Sequence, residues 1–326
     1  MAETPRPSGR ARLARALGPA AGLVAVVVFF ALLTGAPDRY LSGANLRVVL
    51  AQTVIVGLGA IGMTLVMISG GIDLSVGATV ALTGVITALA LRDGASPAAA
   101  AALGVAAGGA VGLVNGLAIT RLRIVPFIAT LGMLGVARGA AKYFAGEQSV
   151  NPPPSWLNGL AVTFPSRAWM LVAPGVWITL ALAVAMAVVL RRTVFGRRVF
   201  AVGSNEAAAR ACGIAVDRVK VLVYAAGGLF FGLAGVTQMS RLRQGDPTVA
   251  VGLELDVIAS VVIGGGSLSG GEGSVAGSLI GALIMSLLRN GCQQMGWPTY
   301  VQEIIIGVII VLAVAADRWR ASRAEE

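Results

Sequence analysis

Histidine is absent from the 326-residue sequence, and cysteine occurs only at Cys212 and Cys292. These absences remove the parts for a zinc site, a histidine-based triad or a disulfide framework, so neither a metal, a cofactor nor catalysis is expected. Charge is scarce too: Asp, Glu, Lys and Arg make up 12% of the residues, against roughly 25% in ordinary soluble domains. In their place the chain is 56% hydrophobic, carries 44 Gly and has a mean hydropathy of +0.84. A soluble globular enzyme and a disordered chain are both excluded. The net charge of +10 would suggest nucleic acid in a soluble protein. Here the basic residues fall between apolar runs, a distribution that sets orientation in a bilayer. Membrane lipid, not nucleic acid, is the expected surrounding.

A membrane-spanning helix needs about 20 mostly apolar residues. Ten stretches meet or approach that length, near 18–36, 48–69, 75–91, 97–120, 125–145, 170–190, 219–240, 253–268, 274–290 and 300–316. The expected fold is an all-α integral membrane protein, a polytopic bundle of about ten transmembrane helices with both termini cytoplasmic. Residues 1–17 form a basic cytoplasmic tail, 18–316 the transmembrane domain and 317–326 a cytoplasmic tail. Within the domain, 191–218 is an Arg-rich cytoplasmic connector. The start MAETPRPSGRAR resembles the basic end of a signal peptide, but the run after it is long enough to span and is read as a retained first helix. An inside N-terminus puts Arg121, Arg123, Arg191, Arg192, Arg197, Arg198 and both basic tails on the cytoplasmic side, the excess expected there. The eighth and ninth stretches are short, and IGGGSLSGGEGSVAG between them reads either as a turn between full crossings or as a re-entrant turn.

Two glycine rows, Gly104–Gly108–Gly112–Gly116 and Gly273–Gly277–Gly281, are spaced to let helix backbones approach closely. A faint likeness joins SGGIDLSVG (69–77) to SGGEGSVAG (269–277), which reads either as an internal duplication or, more simply, as the same steric need for glycine in two sharp turns. The turn GGIDLSVGA sets Asp73 and Ser75 beside Gly70 and Gly71. An acid at such depth persists where it caps a helix, meets a base or faces water, so Asp73 either caps the third helix or lies on a solute path. Other intramembrane charges, Arg138, Lys142, Glu254, Asp256 and Glu303, sit near helix ends. Deep acids and helices broken at the midplane, the marks of an ion-coupled carrier, are not evident. The polar contributors expected along a path are Asn115, Thr130, Ser69 and Thr64, which suit an uncharged polar solute.

The connector TVFGRRVFAVGSNEAAARACGIAVDRVKV (193–221) contains a two-turn helix signal. Ser204 or Asn205 can cap it, Glu206 suits its positive end, Ala207, Ala208 and Arg210 propagate it, and Gly213 stops it. So short a helix is marginal alone. It gains order either by folding back on its own bundle or by docking into a cytosolic partner, to which its alanines would allow close approach.

GGIDLSVGA and GRRVFAVGSNEAAARACGIAVDRVKV together resemble the permease subunits of bacterial ABC importers of the ribose and related monosaccharide group, over about residues 45–316. Branched-chain amino-acid permeases are similar in the second motif. The resemblance implies a place in the bacterial inner membrane and three partners: a cytosolic ABC ATPase that receives the short helix, a periplasmic or lipid-anchored solute-binding protein, and a second permease, copy or paralogue, completing a dimer. A secondary carrier of a small polar solute is the alternative.

Overall fold

The computed structural model describes residues 9–164 and 170–325, without the side chains of 9–17, 313, 314 and 316–325. The first eight residues of the basic tail and 165–169, between the fifth and sixth apolar stretches, lie outside it, as do the arginine side chains of the C-terminal tail.

The chain folds into thirteen α-helices and one short 3₁₀ turn, with no strand among the described residues. In order they are α1 (Gly9–Leu33), α2 (Pro37–Tyr40), α3 (Gly43–Ile68), α4 (Val76–Arg92), α5 (Pro97–Arg121), α6 (Pro126–Ala145), α7 (Pro174–Arg192), α8 (Val194–Ser204), α9 (Glu206–Ala211), α10 (Val216–Leu242), α11 (Leu253–Ile263), α12 (Val275–Gln294) and α13 (Thr299–Glu325). Each of the ten apolar stretches coincides with one of these helices. Five of them, α3, α5, α7, α10 and α12, are long and apolar enough to cross a membrane by themselves. Helix also enters both expected tails, since α1 begins at Gly9 and α13 runs to Glu325.

The bundle is built around α3 and α10. Their buried faces share a core of Ile61, Leu65, Val66, Val223, Phe230 and Phe231. Glycine brings the backbones together: a Cβ on Gly62 would meet the Gly227 carbonyl at 2.9 Å, and one on Gly108 would strike the Gly228 carbonyl and Gly232. On α5, Gly108, Gly112 and Gly116 are thus taken up by α10, while Gly104 packs against Thr83 and Thr87 of α4 as well as Val236 of α10. The second row divides, because Gly277 and Gly281 lie in α12 against Gly264 and Ser260, whereas Gly273 belongs to the turn before α12.

α4 and α11 differ from simple crossings. α11 has 11 residues, a rise of about 16 Å at ~1.5 Å per residue, half of a hydrocarbon core of about 30 Å. A Cβ on Gly59 would meet Val257 Cγ2 at 2.7 Å, so Leu253, one turn before Val257, is level with the middle of the 26-residue α3. α4 likewise starts inside the bundle, because Gly84 faces the Gly235 carbonyl and the first turn of α4, two turns away, is therefore level with the middle of α10. The expectation of unbroken helices is corrected: α4 and α11 each start partway along their neighbours. The breaks fall where Gly, Asp and Pro replace the apolar periodicity, in 70–75 and 245–252. Asp256 lies in the first turn of α11, near a helix end as expected, but it is buried there and pairs with Arg289 of α12 at 2.7 Å.

Candidate functional site: the short helix and the turns behind it

Asn205, not Ser204, caps the short helix. Its Oδ1 accepts from the Ala208 amide at 2.9 Å, while Ser204 closes α8, a helix that the connector's composition did not reveal. Thr193 starts α8 by accepting from the Gly196 amide at 3.2 Å, and its apolar residues Val199 and Val202 turn into the bundle. α9 then ends at Ala211 with Cys212 as its C-cap, followed by Gly213 at φ +79.

Charge ties α9 to the start of α10. Arg210 donates to Glu206 at 3.0 Å and to Asp217 at 3.1 Å, and Lys220 donates to Glu206 at 2.6 Å. The Lys220 hydrogen bond, with Arg210 adding to it, holds the Glu206 carboxyl below its ordinary value against the opposing effect of partial burial. Of the alanines, only Ala209 turns inward; Ala207, Ala208 and Ala211 are exposed. The helix is therefore anchored through one residue and a charged edge, and its exposed face carries small residues.

Immediately before α9, the end of α8 rests on two glycine turns. A Cβ on Gly203 would strike the Ile68 carbonyl and meet the Gly271 nitrogen at 2.7 Å, and one on Gly270 would meet the Gly203 carbonyl and Gly70 Cα, each at 2.8 Å. The Gly271 amide donates to the Ile68 carbonyl at 2.9 Å. The two motifs linked faintly in sequence, 69–77 and 269–277, thus touch each other and α8 in space.

From Gly70 the first turn leads inward to Asp73. Its Oδ1 accepts from the Ser75 amide at 2.8 Å and the Ser75 hydroxyl at 2.6 Å, and its Oδ2 accepts from Asn115 Nδ2 at 3.2 Å. Asn115 also donates to Ser75 Oγ at 3.0 Å. The Ile72 carbonyl accepts from Thr130 and Tyr224, both at 3.3 Å. Asp73 does not cap α4 in the strict sense: Ser75 is the N-cap residue and has no side-chain cap bond. It braces that residue instead. The structure gathers Gly70, Gly71, Asp73, Ser75, Asn115 and Thr130 into one cluster, with Asp73, Ser75, Asn115 and Thr130 at most 1% exposed. Thr64 and Ser69 are buried as well, Thr64 donating to Ser278 Oγ and Ser69 to the Val66 carbonyl, both at 2.7 Å. Tyr224, whose hydroxyl fills the space beside Gly71, completes the cluster. No local signal around it in the sequence marks that role. Cys212 and Cys292 are both free, one exposed and one buried.

Residues 45–314 match the family described as the permease component of the branched-chain amino acid transport system. Among curated relatives, the chain is 41% identical to a ribose import permease of Bacillus subtilis, over 94% of both chains. It is 37% identical to an L-arabinose ABC transporter permease of Azospirillum brasilense, over 92% of this chain and 87% of the relative. A fructose import permease of Rhizobium meliloti is 33% identical over 91% of this chain and 83% of its own length. No solved structure matches.

Proposed function

The chain belongs to the family of permease components of branched-chain amino acid transport systems, and from that premise we propose that it is the membrane subunit of an ATP-driven importer of a monosaccharide or similar neutral polar solute. Relatives named for ribose, arabinose and fructose import support the sugar class. The protein acts in the bacterial cytoplasmic membrane with both ends inside, beside a second permease. A solute-binding protein delivers cargo from outside, and a cytosolic ATPase supplies the work.

The observation that carries the mechanical part is α9. Its capped turns expose Ala207, Ala208 and Ala211, a face that a cleft in the ATPase can enclose without steric conflict. α9 follows Gly203 and Ser204, and these lie on the turns at Gly70 and Gly271, so a push on α9 is delivered to the ends of α3, α4 and α12. Asp73, Asn115 and Thr130 serve as braces that keep the first turn in shape, while solute passes elsewhere in the bundle. Bound ATPase should be recovered by affinity purification of the tagged permease from its own membranes, and sugar uptake should require ATP. Uptake that follows an ion gradient in ATP-depleted vesicles would refute the reading.

A further inference from the structure

Between α10 and α11, residues 246–252 carry no helix, and packing fixes how deep they lie. A Cβ on Gly245 would meet Ala88 Cβ at 2.7 Å and Val85 Cα at 2.9 Å, whereas one on Gly77 would strike the Ala250 carbonyl and meet Glu254 Oε2 at 2.5 Å. Within those residues the chain therefore descends beside α4 from its second half to its first turn, and α11 starts there, level with the middle of α3. The non-helical stretch before α11 and the start of α4 meet in the centre of the bundle, one entering from each end.

Non-helical backbone at that depth is tolerated only where protein buries it or water reaches it. Protein covers one side. Arg138 Nη1 of α6 donates to the Pro247 and Val249 carbonyls at 2.8 and 2.7 Å, and Asp246 Oδ1 accepts from the Thr248 amide and hydroxyl at 2.8 and 2.7 Å. The other side is open: Val251 is 77% exposed, Thr248 is exposed and Glu254 half-buried. Lipid cannot cover this segment as it can cover Val184 of α7, where exposure is 65% but the helix satisfies its own backbone. A dry contact with another protein surface would strand Asp246 and Glu254, the two acids that act on Arg138, without their hydration.

We propose that Thr248–Gly252 and the first turn of α11 form a wall of the water-filled solute path, and that Thr248 and Glu254 are the groups a neutral polyhydroxy solute meets at mid-membrane. The site rests on the permease reading above. A carboxylate can accept from two neighbouring hydroxyl groups of a sugar, and Thr248 Oγ1, having given its hydrogen to Asp246, accepts another. Arg138 behind this segment offsets the acids without occupying the wall.

The test uses the full chain in native membrane vesicles with Cys212→Ser, leaving buried Cys292 in place. Val251→Cys is labelled with a membrane-impermeant methanethiosulfonate and compared with Val184→Cys. The expected result is labelling at least about tenfold faster at 251, because water must reach backbone that cannot face lipid. Whichever of D-ribose, L-arabinose or D-fructose the vesicles accumulate should slow it. Adding Glu254→Gln should raise the half-protecting sugar concentration several-fold. Labelling at 251 no faster than at 184, or a Val251→Cys disulfide between two copies with no labelling, overturns the path. Fast labelling that an accumulated sugar leaves unchanged overturns the solute contact. ATP-dependent uptake by the unmodified chain is measured in the same vesicles, so loss of the importer reading is seen separately: uptake would be absent whatever the labelling rate.

Discussion

Asp73 is fully buried and accepts from two groups of Ser75 and from Asn115, so its removal strands donors that have no water to turn to. Asp73→Ala should destabilise the protein by about 1–3 kcal/mol, lowering its level in the membrane and its melting temperature in detergent while leaving solute preference unchanged. A variant at normal level with altered preference would place Asp73 on the path. At Glu206 the consequence is pH dependence. Its carboxyl is held low by Lys220 and Arg210, so the ion pairs stabilise α9 fully above the ordinary carboxylate pKa and are lost as pH falls through the lowered value of the folded state. Glu206 and Arg210 are about half-exposed, so solvent screening keeps the effect small. Glu206→Gln should abolish the part of the acid-induced loss of stability that belongs to this site, read from denaturation curves at neutral and acid pH.

Among the elements, bulk at α9 should matter more than charge. Ala208→Trp is expected to reduce ATPase recovery and sugar uptake together without reducing insertion, whereas Arg210→Ala has a smaller effect on both; normal values of both in the Trp variant would remove α9 as the coupling element. α9 was legible because Asn205, Glu206 and Gly213 are helix punctuation in a polar setting, where local rules operate. The ten apolar stretches were legible because hydropathy alone reports them. α8 was not, since its start at Thr193 continues an Arg-rich stretch directly after α7. The starts of α4 and α11 were legible, at 75 and 253, but their depth was not, because only contacts such as Val257 on Gly59 reveal how far inside the bundle each helix begins. Tyr224 and Arg138 have their partners at Ile72 and at Pro247 and Val249, more than a hundred residues away, beyond the reach of any periodicity.

For the molecule as a whole, the ten helices and the arginine excess lead to the expectation that reporter fusions after Arg197 and after Arg320 read out on the same, cytoplasmic side; opposite sides would refute the topology. The joint beneath α9 has a further property. Gly203, Gly70, Gly270 and Gly271 meet through main-chain atoms, with no ion pair among them and no side chain that could be traded for another. Ionic strength, which screens the Glu206 network, has no hold on such a seam, so force should cross it equally well in dilute and concentrated salt. The same composition leaves natural selection little room: a surface built from side chains can drift by compensating replacements, whereas at Gly203 even a single methyl group has nowhere to go.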